Sequence, residues 1–148
     1  MVHSYDDIVE ILITDWREKV MAGYVGNIEE VTEQNSNFRK VVYTGVHTQL
    51  VVMALNPGEE IGEEVHGNVD QFFRVEVGTF KFIMNGEESI VTDGMAVIVP
   101  AGVTHNVINV GANVAKLYTL YSPPNHPRDT IHKTKAEADA AEEAEHKH

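Results

Sequence analysis

The sequence predicts an all-β sandwich or barrel with a helix at each end. Three observations predict it. From about Phe38 to Ser122, short apolar and β-branched segments alternate with turn signals, and no helical period interrupts them. Asn85-Gly86, between TFKFIM and EESIVT, is the strongest short hairpin signal in the chain. About eight or nine such segments fit into fewer than a hundred residues, the density of an antiparallel two-sheet or closed architecture.

The elements follow in order. Ser4 and Asp7 form a weak capping pattern, and Ile8, Leu12, Trp16 and Val20 recur every fourth residue. This stripe predicts an amphipathic helix over 5–21, within an N-terminal arm of residues 1–22 that packs on the main body. The strand segments are VVYTGV, TQLVVMAL, EIGEEVH, QFFRVEV, TFKFIM, ESIVT, MAVIVP, HNVINV and AKLYTLY. Asn56-Pro57-Gly58, Asp93-Gly94 and Gly111-Ala112-Asn113 mark turns between them. These segments make a domain over 23–127, ending in the stiff run Pro123-Pro124-Asn125-His126-Pro127. Thr134 and Glu137 then form a second capping box, which opens KAEADAAEEAEHKH. Residues 128–148 are therefore a polar helical tail. With no apolar side chain larger than Ala after Lys135, the tail is expected to be solvated and to do no chemistry.

Composition narrows the function. The 148 residues carry a formal charge of −12, so phosphate backbones and anionic lipid surfaces have no overall attraction for the chain. No nucleic-acid or membrane partner is expected. Without cysteine there is no disulfide, zinc–thiolate site, iron–sulfur cluster or thiol nucleophile. No apolar run is long enough to span a bilayer. The first twenty residues lack the basic region and small-residue cleavage site of a secretory signal, and Asp6, Asp7, Glu10 and Asp15 make them a poor mitochondrial presequence. A cytoplasmic location is the default expectation.

Two stretches carry chemistry. In GMAVIVPAGVTHNVIN, Pro100 and Gly102 form a sharp turn and His105 opens the next strand. Side chains two apart in a strand share a face, so His105, Val107 and Asn109 point together. In GEEIGEEVHGNVDQFFRVEVG, Glu64 and His66 are two apart, and Gln71 begins the following strand on the same face as Phe73 and Val75. If the two strands are neighbours, Glu64, His66 and Gln71 converge and His105 completes the set. Two imidazoles, one carboxylate and one amide oxygen suit a divalent transition metal. Arg74 and Glu76 have the opposite parity and are expected to face outward. At most one of Tyr118 and Tyr121 points inward. His47 is read as a surface residue, and Asp70 as lying at the barrel mouth. Val65 and Phe72, apolar and opposite in parity to the ligands, imply a second covered sheet face and hence a homodimer.

In these two stretches the chain resembles the cupins. The second motif of that family, Gly, five residues, Pro-x-Gly, two residues, His, three residues, Asn, is matched by Gly94, Pro100, Gly102, His105 and Asn109. The first motif is matched in register at Gly58, His66 and Gly78, with Glu64 in place of its first His and Gln71 in place of its Glu. The resemblance covers roughly Gly23 to Pro127 and is nearest to small single-domain cupins of the RmlC-like kind, including those styled mannose-6-phosphate isomerase-like. It implies a cupin double-stranded β-helix, or jelly-roll barrel. It also implies one divalent metal (Zn, Fe, Mn or Ni) at Glu64, His66, Gln71 and His105. Zinc phosphomannose isomerases, which resemble the chain in fold, carry the same donor inventory in a different order. Three functions follow from such a site: a Lewis-acid isomerase for a sugar-like or hydroxy-carbonyl molecule, a non-haem iron dioxygenase, or a non-catalytic metal- and small-ligand-binding domain.

Overall fold

The computed structural model describes residues 22–146, so the helix expected over 5–21 lies outside the described residues. A short helix α1 (Ile28–Gln34) precedes nine strands. These are β1 (Arg39–Thr44), β2 (Gln49–Leu55), β3 (Asp70–Val77), β4 (Thr79–Met84), β5 (Glu87–Thr92), β6 (Ala96–Val99), β7 (His105–Asn109), β8 (Ala115–Ser122) and β9 (Ile131–His132). A second helix, α2 (Lys135–His146), follows. Among the described residues no helix is long and apolar enough to cross a membrane.

Two antiparallel sheets face each other. One has the order β6-β3-β8-β2-β1-β9 and the other β5-β4-β7. The alternation of buried and exposed residues follows from the pleat: in β8, Ala115, Leu117, Thr119 and Tyr121 are all buried, with half-buried residues between them. The core fills the space between the sheets with Val51 and Met53 from β2, Phe73 and Val75 from β3, Phe80 and Phe82 from β4, and Leu117 from β8. Phe73 meets Phe82 edge-on across the sheets, with ring centroids 5.0 Å apart. The β4–β5 hairpin turns at Asn85-Gly86, both at positive φ, as expected of a tight turn whose twist matches its strands.

Three departures from the sequence reading matter for the site. The segment EIGEEVH is not a regular strand. It touches β7 through isolated bridges at Glu60–Ile108 and Glu64–His105, and between them Gly62 adopts φ +107°, which breaks the pleat. This segment therefore lies beside β7 on the smaller sheet, whereas Gln71 lies on β3 between β6 and β8 of the larger one. The two ligand-bearing segments face one another across the interior and are not neighbouring strands. The second departure is α1, whose seven residues are too few to show a period. Asn27 caps it, accepting a hydrogen bond from the Glu30 amide at 3.1 Å, and α1 lies against β3 and β8. Glu76 points away from the barrel interior as expected, yet it is buried, 3.5 Å from Arg74. Third, the chain after Pro127 does not leave the body. Ile131–His132 pair with β1, and α2 folds back with Ala138 buried. The cap forms with a shifted return bond: the Glu137 amide donates to Thr134 Oγ1 at 3.1 Å, while Glu137 Oε2 accepts from the amide of Lys133, one residue before Thr134, at 2.7 Å.

Candidate metal centre

His105 begins β7 and points into the barrel, only 3% exposed. Its Nδ1 lies 3.0 Å from the Val103 carbonyl, so the ring proton sits on Nδ1 and the lone pair on Nε2. That Nε2 is buried and has no hydrogen-bond partner. Glu64 Oε2 lies 3.9 Å from it and 3.2 Å from His66 Nε2. Glu64, His66 and His105 thus form a group whose ligand atoms all fall within 4.8 Å of one another, a set that can hold a metal ion. The donor chemistry fits. An orphaned imidazole nitrogen in an apolar interior is costly unless something accepts its lone pair. A cation does so, and a backbone carbonyl behind the ring is the usual device for orienting such a ligand.

The loops hold these side chains in place through backbone hydrogen bonds between the two motifs. Glu64 and His105 exchange amide–carbonyl bonds at 2.8 Å in both directions, and the Gly102 amide donates to the His66 carbonyl at 2.8 Å. Asp70, exposed at the end of β3, accepts from the Ala101 amide at 2.8 Å and so fastens the Pro100–Gly102 turn. Asn109, which shares the inward parity of His105, does not face the cluster. Its Nδ2 donates to the carbonyls of Leu55 and Asn113, and its Oδ1 accepts from the Gly111 amide, each at 2.9 Å. Asn109 is therefore the clasp of the β7–β8 turn.

Gln71 is fully buried. Its amide nitrogen donates to Thr119 Oγ1 at 3.0 Å, and its Oε1 has no partner. The amide also interacts with the Tyr121 hydroxyl. Tyr121 is the inward one of the two β8 tyrosines; its ring meets His66 edge-on at 6.1 Å and its hydroxyl lies 3.2 Å from His126 Nε2. Phe73 lines the interior as expected, its ring centroid 6.4 Å from that of His105. His47 is exposed, as is Val65, while Phe72 is half-buried.

Sequence reasoning missed a second ring of polar residues. Arg39 on β1, His126 in the proline-rich segment and His132 on β9 line the same cavity as Glu64 and His66, a space of about 470 Å³ that α2 flanks. His126 reaches it because Gln49, fully buried on β2, grips the segment. Gln49 Oε1 accepts from the amides of Asn125 and His126 at 3.0 and 2.9 Å, and Gln49 Nε2 donates to the His126 carbonyl at 2.8 Å. A glutamine heading the apolar run QLVVMAL was the available signal.

The electrostatics follow from burial and neighbours. Burial pushes the Glu64 carboxyl up, but the hydrogen bond and charge of His66, with Arg39 and His105, outweigh it and hold the group below its ordinary range. Burial drives the Tyr121 hydroxyl up to about 12. Burial and then the Arg39 charge push His126 down to about 3, so that ring stays neutral.

The cupin domain model matches residues 51–121. YrkC, an uncharacterized protein of Bacillus subtilis (strain 168), is 45% identical over 147 residues, spanning 95% of this chain and 76% of the relative. A protein of Acanthamoeba polyphaga mimivirus is 41% identical over 113 residues, 73% of this chain and 70% of the relative. The crystal structure of BH2720 from Bacillus halodurans superimposes with a TM-score of 0.78 at 43% identity, covering 79% of this chain and 93% of that one. The chain belongs to the cupin family: a small, mostly β, RmlC-like jelly roll whose interior carries a Glu/His/His cluster.

Proposed function

We propose that the chain is a metal-dependent cupin enzyme acting on a small sugar-like or hydroxy-carbonyl molecule by isomerase-type proton transfer. The observation that carries this reading is the buried, unpartnered Nε2 of His105, 3.9 Å from Glu64 Oε2. Glu64, His66 and His105 would hold the ion, and the unpartnered Gln71 Oε1 offers a fourth oxygen to the same interior. A divalent transition metal so held supplies Lewis-acid polarisation of a carbonyl. The chain's own groups do the rest. Tyr121 keeps its proton at neutral pH and donates within the site, and neutral His126, 3.2 Å away, is the adjoining acceptor. Phe73 and the barrel wall exclude water.

A second reading rests on the donor set itself. Two His and one carboxylate are the inventory of non-haem iron oxygenases, which would make the chain a dioxygenase. The third, a binding domain without turnover, shares the same ligands. Elemental analysis of the full-length chain purified without chelators, beside His105→Ala and His66→Ala, tests all three. We expect about one divalent ion per chain, lost in both variants. Zinc together with interconversion of hydroxy-carbonyl compounds supports the first reading. Iron with oxygen uptake favours the second, and metal without turnover the third. Full occupancy in both variants refutes the ligand assignment.

A further inference from the structure

Resting on that reading of the metal centre, we propose that the ligand of this cavity carries a carboxylate, and that Arg39 with His132 beside it forms the subsite that binds it. The ligand class is a small 2-hydroxy or 2-oxo acid, whose carboxylate meets Arg39 while the adjacent oxygen faces Glu64 and the two histidines.

Arg39 is only 6% exposed, so its charge is carried inside the protein. A guanidinium does not neutralise itself by losing a proton, and burying one without a carboxylate is expensive. Arg39 nonetheless forms no ion pair with a described carboxylate. Its Nη1 lies 3.4 Å from His132 Nδ1, its guanidinium carbon sits 5.3 Å above the Phe38 ring, and its Nε is buried without a partner. The stacking on Phe38 and an interaction with the Tyr121 hydroxyl offset part of the cost, but like the His132 ring they supply no negative charge. Position then assigns the role. Arg39 and His132 are directly paired across β1 and β9, and both line the cavity that holds Glu64 and His66. The Arg39 charge acts to lower the pKa of Glu64, Tyr121 and His126, which places the guanidinium electrostatically within the same cluster.

A carboxylate fits better than a phosphate. A planar fork matches a planar two-oxygen acceptor. One arginine balances one negative charge, whereas exposed Glu63 and Glu145 at the edge of the cavity repel a dianion.

The test is calorimetric titration of the full-length chain, zinc-loaded and metal-free, with glycolate, its uncharged counterpart ethylene glycol, and inorganic phosphate. The titrations are repeated on Arg39→Gln and Arg39→Lys, with zinc content and thermal melting measured in parallel. Zinc-loaded wild type should bind glycolate far more tightly than ethylene glycol or phosphate. Arg39→Gln should weaken glycolate roughly tenfold to a hundredfold, the loss of one charge-assisted pair, with zinc content unchanged. Arg39→Lys should retain part of the affinity. Equal binding of glycolate and ethylene glycol by the wild type overturns the proposal without recourse to any variant. So does unchanged glycolate affinity in a folded Arg39→Gln, phosphate binding tighter than glycolate, or no saturable heat with glycolate. If zinc fails to bind, the metal reading falls while the metal-free titrations still decide the Arg39 subsite.

Discussion

A neutral histidine built into a folded chain makes stability depend on pH. His126 is that group: burial and the nearby Arg39 charge lower its pKa from 6.5 to about 3. As the chain unfolds the imidazole regains its ordinary value and binds a proton that the folded state refuses. The unfolded state therefore gains protons first as pH falls. The stabilisation is fully present above pH 6.5 and is lost progressively as pH drops toward about 3. Between about pH 7 and pH 5 the expected loss from this one group is about 2 kcal/mol by proton linkage. Glu64 does not contribute in that window. Its carboxyl lies below its ordinary value of 4.5, so its contribution disappears only at lower pH. The assay is urea unfolding of metal-free protein at the two pH values, wild type against His126→Gln. Removing metal first prevents competition between protons and a cation at His66 and His105 from adding to the slope. The wild type should lose about 2 kcal/mol more than the variant over this range. Equal losses would show that His126 takes up its proton without unfolding, and that its burial among Arg39, Tyr121 and the Gln49 clamp does not keep it neutral.

Asn109→Ala removes three hydrogen bonds and leaves the buried carbonyl of Leu55 without its partner, so about 2–4 kcal/mol of stability should be lost in denaturant unfolding. Metal content per folded molecule should stay at the wild-type level, because Asn109 holds the turn and not the ion; loss of metal at full stability would place it in the site after all. Val65 lies beside the smaller sheet and Phe72 on the larger one, so they do not share a face. The homodimer expected from the sequence would have to form over the outer side of the larger sheet, where half-buried Phe72 pairs with exposed Ile98. It should appear in light scattering as twice the 16.5 kDa chain mass. A monomeric mass at micromolar concentration would leave that face without a second copy.

Most of the barrel is written locally along the chain. Strand segments from Arg39 to Ser122 were legible because a sheet buried on one face writes its pleat into every second residue, as Ala115, Leu117, Thr119 and Tyr121 show. Asn85-Gly86 declared its hairpin, and Thr134 with Glu137 declared the start of α2, since turns and caps are local chemistry. Glu64, His66 and His105 were legible as candidates through the motif spacing shared with the cupins, although the strand parity and strand pairing expected for Glu64 and His66 do not hold in the irregular segment that carries them. Tertiary structure decided what lies around them. EIGEEVH had to abandon the regular pleat at Gly62, yet its backbone bonds to β7 still brought Glu64 and His66 together with His105. Arg39, His126 and His132 come from separate segments, and no local pattern links them. They share one cavity only because Gln49 pulls the proline-rich segment inward and β9 pairs with β1. A polar helix with only alanine on its buried side likewise looked solvated until the rest of the chain supplied the surface against which Ala138 packs. Periodicity records which face of an element is buried; which distant elements meet is set by long-range pairing, and no window of sequence contains both partners.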